Sequence, residues 1–85
     1  MTEIMKPIVN INGTSREELI EQRIDARRAV TALMETLQHM APNGRDYIGN
    51  QEAFDRDRAI YRERFAALDA LYNTLLDEAL NIQDS

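Results

Sequence analysis

The chain has no cysteine, which removes disulfides and thiolate metal sites from consideration. It has no apolar run near the roughly 18–20 residues of a membrane span, so no membrane partner is expected. Its opening residues show no basic segment followed by an apolar run, so no signal peptide is expected and the cytoplasm is the expected location. Basic charge is scarce: ten Lys and Arg stand against fifteen Asp and Glu, for a net charge of −5. No basic run stands out, which argues against non-specific binding to DNA, RNA or an anionic membrane. The single histidine, His39, has no partner at metal-ligand spacing, so no metal site is expected. There is no P-loop, no Ser/His/Asp order and no supported pair of carboxylates. Neither an enzyme nor a cofactor is expected.

What is present suits one small folded domain. Apolar residues make up 44% of the 85 residues and charged residues 29%, which argues against global disorder. A chain this short buries a modest core, worth a few kcal/mol net. Cysteine-free domains of this size draw further stability from idealised helices or from oligomerisation.

Hydrophobic spacing divides the chain into two helices around the loop Ala41–Asn50. Residues 1–14 form an arm and cap, with Pro7 biasing Lys6 toward extended geometry; a short strand, an extended arm or a flexible segment would each fit. Helix one spans about 15–40, opened by a capping box in which Ser15 pairs with Glu18 or Thr14 with Glu17. Its seam runs through Leu19, Arg23, Ala26, Val30, Leu33, Leu37 and Met40. Pro42 excludes helix at Ala41, and Asn43-Gly44 supplies turn chemistry. Helix two spans about 51–82, with the seam Phe54, Arg58, Tyr61, Phe65, Leu68, Tyr72, Leu75, Ala79 and Ile82. Ile20, Ile24 and Met34 flank the first seam, and Ile60, Ala67, Leu71 and Leu76 the second, so each apolar face is wider than one partner helix needs. The expected fold is an all-α antiparallel two-helix hairpin. Counting outward from the loop sets Met40 near Phe54, Leu33 near Tyr61, Ala26 near Leu68 and Leu19 near Leu75. The uncovered side of each stripe predicts a homo-oligomer, most simply a dimer forming a four-helix bundle.

Three places hold residues able to bind a ligand. The loop Asn43-Gly44-Arg45-Asp46-Tyr47 offers a guanidinium for a phosphate or carboxylate and a phenol that can stack on a ring, beside the positive end of helix two. Its alternative is a plain turn in which Arg45 and Asp46 are solvated and Tyr47 plugs the hairpin end. Asn12, Thr14 and Ser15 sit at the start of helix one, where they either contact an anion or simply cap. Arg23 and Arg58 interrupt the seams. Each either lines an anion pocket, or reaches water over its neighbours, or pairs with a carboxylate such as Asp25, Asp55 or Asp57. The alternation of Arg56, Arg58, Arg62 and Arg64 with Asp55, Asp57 and Glu63 is the pattern of a solvated face with local ion pairs.

The opening Asn12-Gly13-Thr14-Ser15-Arg16-Glu17-Glu18-Leu19 and the turn Ala41-Pro42-Asn43-Gly44-Arg45-Asp46-Tyr47 resemble those of small helical-hairpin proteins encoded by bacteriophages and prophages. That resemblance spans nearly the whole chain and implies the cytoplasm of a host cell. In architecture alone the chain also resembles phage counter-defence sponge proteins, oligomers of short hairpins that sequester nucleotide immune signals. No site residue carries over from them. Together these imply a non-enzymatic phage accessory protein that binds a small anionic or nucleotide ligand. The alternatives are a module that docks on a host or phage protein through its acidic helical faces, and a structural or assembly component.

Overall fold

The structure, a computed structural model, describes residues 3–85. Among these residues the elements are two long helices, α1 (Arg16–Gln38) and α2 (Gln51–Asp84), and a four-residue 3-10 turn, Gly44–Tyr47, in the connector between them. The all-α hairpin expected from the spacing is the fold that forms. No strand forms in residues 3–15; Met1 and Thr2 lie outside the described residues.

Local chemistry sets the helix ends. Ser15 is extended (φ −64°, ψ 157°) and its hydroxyl accepts from the Glu18 N–H at 3.1 Å, so Ser15, not Thr14, caps α1. At the other end, the N–H groups of His39, Met40 and Ala41 bond to carbonyls three residues back. This tightening ends α1 at Gln38, two residues before Met40, because Pro42 disfavours α geometry at Ala41. Asn50 caps α2, accepting from the Ala53 N–H at 3.0 Å. Helix α2 runs on to Asp84, past the end expected at Ile82. There the Ser85 N–H and hydroxyl both donate to the Ile82 carbonyl, and the Arg16 guanidinium donates to the Ser85 carbonyl.

The helices pair antiparallel, but in a register that simple counting from the loop misses. Such counting sets Arg23 against Leu71 and Arg27 against Ala67. In the structure Arg23 bonds to Glu78 and Arg27 to the Tyr72 carbonyl, a slide of five to seven residues. The cause is unequal length. Helix α2 has 34 residues and α1 has 23, about 51 Å against 35 Å at 1.5 Å per residue. The connector therefore does not turn tightly between level helix ends. It leaves α1 early and runs alongside the first turns of α2, where Tyr47 meets Phe54 and Asp57. The result is a rod of 63 × 24 × 16 Å.

Burial is concentrated at the end remote from the connector. Among the described residues the buried apolar side chains are Val30, Ala79 and Ile82, of which Ile82 is fully enclosed, with Arg23, Thr74 and Glu78 buried beside them. Large apolar side chains stay open along the whole rod, Leu33, Met40, Ile60, Leu71, Leu76 and Leu80 among them.

Candidate functional site

The connector is assembled from short-range contacts. The Asn43 side-chain oxygen accepts from the Arg45 N–H at 3.0 Å and from Arg45 Nε at 3.3 Å. Arg45 is thus folded back on its own turn, with an exposed guanidinium. Asp46 is exposed next to it. Gly44 has no neighbour within 4 Å of an added Cβ and no positive φ. The left-handed residue is Gly49, at φ 81°, where the chain turns into α2.

Tyr47 is half-buried and points inward. Its hydroxyl donates to Asp57 Oδ2 at 2.6 Å, and its ring lies 5.4 Å from the Phe54 ring at 54°. Arg56 donates to the other carboxylate oxygen of Asp57 at 3.0 Å. The Asp57 carboxyl is held below its usual range, first by the Tyr47 hydroxyl and then by Arg56; the Tyr47 phenol is raised, first by its bond to Asp57 and then by burial. This arrangement matches the plug alternative for Tyr47, since the phenol is committed to Asp57 and the ring to Phe54. Leu37, Met40, Pro42, Ile60 and Arg64 join Tyr47 and Asp57 around a cleft of about 190 Å³.

The other sequence candidates separate. Asn12, Thr14 and Ser15 are exposed at the end of the hairpin remote from Arg45. The Asn12 N–H donates to Asn10 Oδ1 at 3.0 Å, and Ser15 is occupied as the α1 cap. Arg58 is exposed, its guanidinium 5.4 Å from the Phe54 ring. Arg23 is buried and unavailable to a ligand. Its Nε donates to Glu78 Oε1 at 3.1 Å, and one terminal nitrogen donates to the Leu19 carbonyl and to Gln22. Its partner is thus none of Asp25, Asp55 and Asp57. The second Glu78 oxygen accepts from the Met5 N–H at 3.0 Å, tying the N-terminal segment to the same pair.

The spacing did not single out Arg27 or Glu78. Arg27 Nε donates to the Tyr72 carbonyl at 3.1 Å, and its guanidinium lies 3.9 Å from the centre of the Tyr72 ring, a cation–π contact. Ile24, Arg28 and Thr31 complete an open groove of about 310 Å³ around them. A signal for Glu78 was present: an arginine that stays buried in a seam needs a carboxylate partner, and Glu78 stands between the seam residues Leu75 and Ile82. Nothing comparable marks Arg27, whose partner is a backbone carbonyl.

No group of three His, Asp or Glu side chains is placed to hold a metal ion among the described residues, and no described helix is long and apolar enough to cross a membrane. No protein-family model, curated protein or solved structure matches the chain.

Proposed function

We propose that the chain is a non-enzymatic association module, completed by packing its uncovered apolar face against another helical protein surface. The observation that carries this reading is the accessible surface. It is 6585 Å² for a chain of 9.8 kDa. Folded monomers of that mass expose about 5,200 Å², leaving an excess of roughly 1,400 Å². A standard interface takes about 800 Å² from each partner. The excess includes apolar side chains such as Leu33 at 46%, Leu71 at 45% and Met40 at 60% exposure. The resemblance to phage and prophage hairpins extends the reading to a phage accessory role, with a phage or host protein, or another copy of the chain, as partner.

Amide hydrogen exchange on a monomer diluted below any self-association tests the reading. Shallow protection is expected in both helices, because a lone hairpin with so little buried apolar surface opens readily. Deep, uniform protection in the dilute monomer would show a unit complete by itself and would sink the reading.

Sequestration of a small anion is favoured by a different observation. Arg27 is pre-oriented by the Tyr72 carbonyl and ring, with Arg28 and Thr31 beside it. That moves the reading from the Arg45 loop to the middle of the rod. Calorimetric titration with mononucleotides and cyclic nucleotides tests it. Binding that survives Arg45→Ala and is lost in Arg27→Ala is the expected pattern; the reverse pattern would return the site to the loop.

A further inference from the structure

The uncovered apolar surface is not spread evenly around the rod. Leu37, Met40 and Ile60 line one cleft, which fixes one broad face of the hairpin. Leu33 lies four residues before Leu37 and seven before Met40, and so shares their side of α1. Leu71 lies eleven residues beyond Ile60, three turns on, and shares its side of α2. In the observed register Leu33 stands level with Ala67, and Ala29 level with Leu71. This face therefore alternates large and small residues across the two helices. Charge enters it toward the connector end, where Asp57 and Arg64 border the cleft. The opposite face carries more charge: Arg27, Arg28, Arg62 and Asp69 stand in its grooves beside Ile24, Tyr61, Phe65 and Tyr72.

We propose that a second copy of the chain covers the Leu33/Leu71 face by a two-fold axis perpendicular to the rod, giving an antiparallel four-helix bundle. The proposal rests on the association reading and names its partner. Three observations select a second copy in this orientation. First, the patch sits near the middle of α2, so a two-fold axis through it lets each rod cover most of the other. Second, alternating large and small residues on one face are self-complementary when a copy is turned over against it. Third, the charges along the rod are lopsided. Residues 16–25 and 77–84, which meet at one end, hold two arginines and seven carboxylates. Residues 41–57, at the other end, hold two arginines and four carboxylates. A parallel pair would set the acidic ends side by side; the antiparallel pair sets each against the less acidic connector end of its neighbour.

The absence of cysteine makes the test direct. Sedimentation of the full chain is expected to show a closed dimer. Leu33→Asp should weaken it by at least about tenfold, as a carboxylate buried in an apolar contact would. Leu76→Asp, on the opposite face, should leave it intact. Because Leu33→Asp can also unfold a chain that needs its partner, single cysteines give a second measure. Ala67→Cys, near the axis, should oxidise to a disulfide-linked dimer. Ala53→Cys, about 40 Å from its copy in the antiparallel arrangement, should not. Disulfide formation at Ala53 would overturn the antiparallel orientation. Dissociation by Leu76→Asp would overturn the choice of face. A monomer at high concentration, or open-ended growth, would overturn the dimer; with shallow exchange protection in that monomer, the association reading would stand and point to a different protein.

Discussion

Arg23 and Glu78, 55 residues apart in sequence, are joined by a 3.1 Å hydrogen bond between side chains only 10% and 5% exposed. The pair fixes where α1 sits along α2. Single removal leaves a buried charge without its partner, so Glu78→Ala should destabilise the fold by about 3–5 kcal/mol. The double change Arg23→Met with Glu78→Leu should cost less than either single change, since similar apolar volume replaces both charges. Chemical denaturation of Arg23→Met, Glu78→Leu and the double variant checks this through the coupling energy. Additive losses would show that the pair does not act as a unit.

Tyr47 and Asp57 tie the connector to α2, and the tie depends on pH. The Asp57 carboxyl titrates below its unfolded value. Its contribution to stability is therefore present above the unfolded carboxylate pKa and is lost as pH falls through the lowered folded value. The Tyr47 phenol is raised; its contribution is present below the ordinary phenol value and lost as pH rises through the raised one. Tyr47→Phe should flatten both limbs of the pH–stability curve. Thermal melts of the two proteins from acid to alkaline pH would show it, and superimposable curves would argue against the tie.

Gly44 and Gly49 lie five residues apart and should answer oppositely to alanine. Gly49 has a φ of 81°, and alanine there should cost about 1–2 kcal/mol. Gly44 has open space around it and no positive φ. Gly44→Ala should be neutral or stabilising by about 0.4–1 kcal/mol, because it restricts the unfolded chain. Denaturant midpoints of the two variants decide the point.

Among the described residues, Ser15 supplies the only side-chain acceptor for a backbone N–H in the first turn of α1. Ser15→Ala should cost about 1 kcal/mol. Thr14→Ala should cost little, since Thr14 is exposed and Ser15 holds the cap. Helicity followed by circular dichroism through a denaturant titration tests both. An equal loss in the two variants would mean that the cap is shared between them.

The helices, their caps and the hairpin were legible in the sequence because they depend on nearby residues. Apolar spacing defines a helix face, Ser15 and Asn50 cap within three residues, and Pro42 stops α1 from within the connector. The same local logic gave the plug alternative for Tyr47, ten residues from Asp57. It gave less for the candidate sites. Arg23 stood out as a charge in a seam, but spacing alone does not say whether such a charge faces a ligand or a carboxylate on the other helix.

Tertiary structure decided what depends on two distant segments meeting. The register was one such choice: equal-level packing and the observed slide both turn the two seams toward each other, and only the slide brings Glu78 to Arg23 and the connector to α2. The Arg27–Tyr72 contact was another, since a backbone carbonyl leaves no trace in the order of side chains. The amino-acid sequence by itself determined two amphipathic helices and a surplus of apolar surface. How the helices slide, and which face of the rod is left bare, followed from the long-range contacts that hold them.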